Sequence, residues 1–166
     1  GKRLGARVIA AASSDAKCEF CRSLGADATI NYTATPVRDA IKALTGGKGP
    51  DVVYDPVGGD LAEPVFRSLA WHGRYLVIGF AQGGIPALPL NLPLLKEAAL
   101  VGVFWGEWAR REPRRNAALL AQLAADCAAG HIQPAIDCRL PMPELPRAFA
   151  RMASREVRGK VVMVNP

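Results

Sequence analysis

What is scarce in this chain limits it first. None of its 166 residues falls in an apolar run near the roughly 20 residues that a membrane span needs. Four cysteines (Cys18, Cys21, Cys127 and Cys138) are too few and too scattered for a disulfide framework, which leaves the cytoplasm as the default compartment. Cys18 and Cys21 form a CxxC, open to a redox or zinc reading. No second Cys/His pair follows, and i, i+3 positions in a helix favour a structural role. The two histidines, His72 and His131, each adjoin a helix-ending glycine on the strand-entry side, so both are expected to be solvent-exposed. No pair of carboxylates is spaced for acid–base work. Nucleophile, metal and general-base chemistry are all short of residues, and no catalytic residue or metal ligand is assigned.

Charge is not scarce. The net charge of +6 raises the question of a nucleic-acid partner. The densest cluster, Arg110-Arg111-Glu112-Pro113-Arg114-Arg115, opens an expected helix, where cations oppose the helix dipole. No aromatic residues interleave with it, as a single-strand binder would require. It reads as a solvated surface, and a nucleic-acid partner is not expected.

What is present is a repeated punctuation of amphipathic helix, glycine and apolar run. It occurs as CRSLGA before DATINY, ALTGGKGP before DVVYDPV and SLAWHG before RYLVIGF. Helices alternating with short β-branched strands specify βαβ units and a parallel sheet covered on both faces. Strands are expected at residues 7–12, 28–32, 51–57, 74–79 and 100–105, with helices at 15–24, 36–45 and 61–71. Residues 81–93 hold too many Gly and Pro for regular structure. A helix at 113–129 starts with proline in its first turn. Strand 135–140, helix 145–154 and strand 160–164 then break the rhythm, placing a domain boundary near 131–135. The expected domains are 1–134 and 135–166.

In an open parallel sheet, ligands bind beyond the carboxyl ends of the strands. There stand Ser13, Ser14 and Lys17; Asn31 and Tyr32; Gly58 and Gly59; Ile78, Gly79 and Phe80; and Val103, Phe104 and Trp105. Hydroxyls, one ammonium, pliable backbone and flat apolar groups suit a dinucleotide that carries the chemistry itself. An NAD site ends the first strand with a carboxylate for the ribose. Ser13 holds that position, and Lys17 lies one turn into the next helix, where its ammonium could meet a 2′-phosphate or simply stand on a solvated face. Asp15 at the helix start reads as a partner of the dipole. Gly58 and Gly59 permit close backbone approach, and position alone leaves open whether a ligand or the turn requires them.

The stretches LGARVIAAASS, LGADATINY, DVVYDPVGG, GRYLVIGFAQG, LLKEAALVGVFWGEW and GKVVMV resemble, in that order, the coenzyme half of NADPH:quinone oxidoreductases. These form a zinc-independent branch of the medium-chain dehydrogenase/reductase superfamily. The resemblance implies an α/β, Rossmann-like doubly wound sheet binding NADPH. Ser13, Ser14, Lys17 and Tyr32 would flank the adenosine 2′-phosphate, and Gly58 and Gly59 would approach the adenosine side. Ile78, Gly79, Phe80, Val103, Phe104 and Trp105 would line the nicotinamide half. It further implies metal-free hydride transfer to a small molecule, a quinone or related conjugated carbonyl, in a homodimer joined through strand 100–105. An enoyl or alkenal reductase of the same superfamily is the near alternative. A non-enzymatic NADPH- or RNA-binding protein on this fold is the distant one.

In the resembling family a substrate domain, a strand and a Gly-rich turn come first. Here Gly1 to Leu4 match the end of the helix after that turn, with Gly5 at its C′ position. The strand order 3-2-1-4-5-6 is therefore expected to lack its central member. Such a chain is expected to fold poorly alone and to be inactive by itself, with 135–166 as the segment that returns to the substrate domain.

Overall fold

The protein is described by a computed structural model over residues 1–154 and 156–165. Its strands are β1 (Ile9–Ala12), β2 (Ala28–Asn31), β3 (Val52–Asp55), β4 (Arg74–Val77), β5 (Ala99–Gly102), β6 (Ile136–Pro141) and β7 (Lys160–Val164). The helices are α1 (Asp15–Ser23), α2 (Val37–Leu44), α3 (Ala62–Arg67), α4 (Asn91–Leu94), α5 (Trp105–Arg111), α6 (Pro113–Ala128) and α7 (Leu145–Ala153). The chain divides into two compact units between Arg111 and Glu112. Among the described residues, no helix is long and apolar enough to cross a membrane.

The first unit is parallel α/β, as expected, and its sheet is interrupted where a central strand was expected to be missing. β1 pairs with β2, and β3, β4 and β5 pair in that order, all parallel. The second edges of β1 and β3 have no strand partner among the described residues. Gly5 has φ +78° and caps the short 3-10 turn Lys2–Leu4, as the LG dipeptide predicts. Asp27 ties this entry to β2, accepting from Lys2 Nζ at 2.6 Å and from the Val8 N–H at 2.7 Å.

Two apolar clusters hold the unit. Ile30, Val37 and Ile41 form one, joined by Ile9, Tyr32 and Leu44 and by Leu61 and Val65 from α3 and the turn before it. Ala62, Phe66, Leu69, Tyr75 and Leu92 form the other, with Val53, Val77 and again Val65 packed against them. The Phe66 and Tyr75 rings lie 5.7 Å apart in a tilted pair, within the range where aromatic edges and faces attract.

Four expectations need correction. The helix expected at 61–71 is a 3-10 turn, Gly59–Leu61, followed by α3, which stops at Arg67. The Ser68 hydroxyl donates to the Pro64 carbonyl at 2.8 Å, and the Ala70 N–H is drawn to the Pro50 carbonyl at 3.0 Å. The loop expected through 93 contains the start of α4, because Pro93 sits in a first turn where its missing N–H costs nothing. The strand expected at 100–105 ends at Gly102, and Trp105 instead opens α5. There the Phe104 carbonyl accepts from the Trp108 N–H at 3.0 Å, and Glu107 holds Arg110 and Arg111 one turn on. Finally, the sheet is not covered on both faces: Val52 and Tyr54 of β3 are 41% and 68% exposed, and every residue of β5 is exposed.

The second unit consists of α6 and a parallel βαβ unit in which β6 and β7 flank α7. Pro113 begins α6, as predicted. Leu140 and Ala148 are the buried apolar residues of this unit among the described residues. Arg151 pairs with Asp137, whose carboxylate also accepts from the Arg158 N–H at 3.1 Å.

The first prediction concerns packing. Phe66 is fully buried while Phe149 is 62% exposed. Phe66→Ala should cost about 3–5 kcal/mol in urea denaturation, and Phe149→Ala within about 0.5 kcal/mol of nothing. Equal shifts would contradict the described core.

The second concerns pH. Arg151, and after it the Arg158 N–H, hold the Asp137 carboxyl at about 2, below its ordinary 3.8. The folded value lies below the unfolded one, so the pair's contribution is complete above that ordinary value and is lost as pH falls through about 2. Carboxyl NMR titration should place Asp137 near 2 in the native chain and near its ordinary value in Arg151→Met.

Candidate functional site

The carboxyl ends of β1 and β2 form one corner. Ser14 leaves β1 in extended conformation (φ −159°, ψ 158°) and caps α1, its Oγ accepting from the Lys17 N–H at 3.3 Å. The cap turns Lys17 back over the strand end, and Lys17 Nζ donates to Ser13 Oγ at 3.4 Å. Ser13, Ser14 and Lys17 are thus gathered as expected, by the cap itself. Asp15 is engaged elsewhere: Asn31 Nδ2 donates to its Oδ1 at 2.8 Å. Asn31 Oδ1 in turn accepts from the Thr33 N–H at 3.1 Å, so the β1 and β2 ends are braced together. Tyr32 reaches this corner through its backbone, whose N–H donates to the Ala12 carbonyl at 3.1 Å. Its ring packs on the Ile30–Val37–Ile41 cluster.

The ends of β3, β4 and β5 form a second group, organised by Asp55. Asp55 Oδ1 accepts from the Val57 N–H at 2.8 Å and the Gly58 N–H at 3.1 Å. Asp55 Oδ2 accepts from the Tyr75 hydroxyl. Tyr75 is 2% exposed, and burial first, then the Asp55 carboxylate, push its phenol above the ordinary value. The phenol therefore stays a donor at any working pH.

This clamp shapes the turn that carries the two glycines. Gly58 and Gly59 both have φ +66°, which a side chain rarely adopts. A Cβ at Gly58 would lie 2.8 Å from the Phe80 ring, and one at Gly59 2.1 Å from the Gln82 amide. Backbone bonds from Ala81 to Pro56 (3.1 Å), Gln82 to Val57 (3.0 Å) and Gly59 to Gly84 (3.2 Å) zip the two turns together. The close approach that these glycines permit is thus taken by the chain's own loop. Ile78 and Gly79 follow from the same zip, their N–H groups donating to the Asp55 carbonyl at 2.9 and 3.4 Å. Val103 is held beside them by its N–H to the Val77 carbonyl at 2.9 Å. Phe80, Val103, Phe104 and Trp105 are 39%, 40%, 77% and 55% exposed, giving this edge an apolar surface.

Asp55 and Tyr75 were missed in the sequence. The DP dipeptide after a strand is the available signal, since an Asp there accepts from the N–H two residues on. Nothing in sequence spacing joins it to Tyr75. Both histidines are exposed, as expected: 63% for the His72 side chain and 62% for that of His131. Cys18 is buried, and burial, then Cys18, raise the Cys21 thiol, the reverse of an activated thiolate. Among the described residues no three His, Cys, Asp or Glu stand together as metal ligands.

The third prediction tests the clamp. Tyr75→Phe keeps the ring and loses a bond to a charged acceptor, at about 1.5–3 kcal/mol. Asp55→Ala should cost more, because it also strands the Val57 and Gly58 N–H groups. Equal and small losses in chemical denaturation would mean that the glycines alone set the turn.

A protein-family profile described as "Zinc-binding dehydrogenase" matches residues 1–124. Quinone oxidoreductase-like protein 2 of Bos taurus is 38% identical over 160 residues, covering 96% of this chain and 46% of that protein. The 2-haloacrylate reductase of a Burkholderia species is 28% identical over 164 residues, covering 98% of this chain and 49% of the relative. The crystal structure of a quinone oxidoreductase from Pseudomonas syringae pv. Tomato DC3000 superimposes with a TM-score of 0.84 at 25% identity, over 98% of this chain and 50% of that one. The chain spans about half the length of the curated relatives it matches. Sharing the parallel strand ends, the βα rhythm and the profile over most of its length, the chain belongs to the zinc-binding dehydrogenase family of the medium-chain dehydrogenase/reductase superfamily.

Proposed function

We propose that this chain is the NADPH-binding half of an oxidoreductase that reduces a quinone or related conjugated carbonyl. The observation that carries the cofactor reading is the β1 corner. Lys17 Nζ lies 3.4 Å from Ser13 Oγ, while Asp15, the carboxylate able to serve an NAD ribose, is held by Asn31. One ammonium, two hydroxyls and a capped helix start fit a 2′-phosphate. Tyr32 borders the same corner through its backbone, and the proposal places it beside the phosphate.

In this reading Ser13, Ser14 and Lys17 bind and orient the phosphate end. The Asp55-clamped turn brings Gly58 and Gly59 toward the adenosine side once Phe80 and Gln82 yield the approach. Ile78, Gly79, Phe80, Val103, Phe104 and Trp105 offer the nicotinamide half an apolar wall that excludes water. NADPH, when bound, supplies the hydride. Likeness to quinone oxidoreductase-like protein 2 supports the quinone acceptor. Likeness to a 2-haloacrylate reductase supports the neighbouring reading, reduction of an activated carbon–carbon double bond. The substrate is bound by a separate domain, to which residues 135–166 return, and the cytoplasm is the compartment.

The same proposal includes a homodimer. β5 pairs only with β4 among the described residues, and Leu100 and Val101 are 51% and 38% exposed. A free apolar edge is a template for a twin strand. Light scattering at high micromolar concentration should give a dimer; a monomer overturns this part.

Lys17→Ala, made in a longer protein carrying this chain, tests the cofactor. A charge-assisted bond lost from the phosphate should weaken NADPH about tenfold or more. NADH should bind almost unchanged. Equal losses for the two dinucleotides would reduce Lys17 to a support of the helix.

A further inference from the structure

A second cationic site lies away from the β1 corner. Between α2 and α3 runs a cleft of about 750 Å³, floored by Ile41, Leu61 and Leu69. Its walls bring Arg38, Lys42, Lys48, Arg67 and Lys96 against a single carboxylate, Asp39. Arg67 is neutralised by Glu63 at 2.6 Å. Arg38, Lys42, Lys48 and Lys96 form no ion pair among the described residues.

Stability does not account for this arrangement. Arg38 and Lys42 are neighbours one turn apart on α2, where like charges repel. Lys96 is half-buried, with Nζ fixed 2.5 Å from the Leu69 carbonyl, its one acceptor among the described residues, though an ammonium has three protons to donate. Burial first, and Arg38 after it, push the Lys96 ammonium below its ordinary value, as expected where negative charge is short. Several N–H donors converging over an apolar floor suit an anion with clustered oxygens and a less polar body.

We propose that the cleft between α2 and α3 binds a small molecule carrying two or more linked phosphate groups. Its bounded volume fits a compact ligand better than a nucleic-acid strand. Tyr32 at one end is the only aromatic side chain lining it, which gives successive bases no stack. Ser13, Ser14 and Lys17 do not line it; Tyr32 is shared with the proposed cofactor corner, but the cations of the two sites are different residues.

Calorimetric titration of the chain with tripolyphosphate is the test. A saturable site should persist in Lys17→Ala and weaken about tenfold or more in Lys42→Glu and in Lys96→Met. Lys42 is exposed on a helix face, so its variant reads binding even where Lys96→Met disturbs packing. Absence of saturable binding overturns the proposal. So does binding that ignores Lys42→Glu, or that vanishes in Lys17→Ala and so belongs to the cofactor corner. Single-stranded RNA competing far more tightly through the same lysines would overturn the small-ligand assignment. The cofactor reading fails separately, through the dinucleotide affinities of Lys17→Ala.

Discussion

Val65 belongs to both apolar clusters of the first unit. With β1 and β3 unpaired to each other, no ladder of hydrogen bonds among the described residues connects the two halves of the sheet. The joining is done by side chains: Leu61 and Val65 lie against Ile30, Val37 and Ile41, while Phe66 of the same helix lies against Tyr75 and Leu92. Apolar burial is roughly proportional to area and has no directionality, so it can hold two half-sheets in register without prescribing strand pairing. α3, only six residues long, is the element on which the relation between the two groups of strand ends depends.

The strand ends themselves are ordered by hydrogen bonds in which charge is set against backbone. Ser14 and Asp55 do parallel work at the ends of β1 and β3. Each satisfies N–H groups of the turn that follows, and each thereby aims the next functional segment. Asp55 is the stronger anchor, because its carboxylate meets two N–H groups and a buried phenol at once. A partly buried carboxylate such as Asp55 costs little when its oxygens are so occupied. The outcome is a site made largely of backbone and hydroxyls, suited to holding a reagent that brings its own reactivity.

The positive balance of the chain is distributed unevenly. Around α5 it is partly offset, since Glu107 serves both Arg110 and Arg111, each at 2.7 Å or less. In the second unit Arg147 and Arg151 are matched by Glu144 and Asp137. In the α2–α3 cleft Arg38, Lys42 and Lys48 have no ion-pair partner among the described residues. Exposed pairs of the first kind contribute little to stability, but they offset charge at the surface, an offset that the cleft cations other than Arg67 do not have among the described residues.

Local sequence determined the elements. The βα rhythm, the parallel class, the glycine stop at Gly5, the proline start of α6 and the serine cap that gathers Lys17 were all readable, because each depends on residues within a few positions. The open edges of β1 and β3 among the described residues agree with the expected strand order without its central member. Tertiary structure decided the rest. The end of α3, the turn of the chain into α5 and the bare outer face of β3 follow from competition among distant acceptors and from which faces find cover. The bond between Asp55 and Tyr75, residues 20 positions apart, exists because β3 and β4 lie side by side. Phe80 fills the space at Gly58 for the same reason: two loops meet only after their strands have paired.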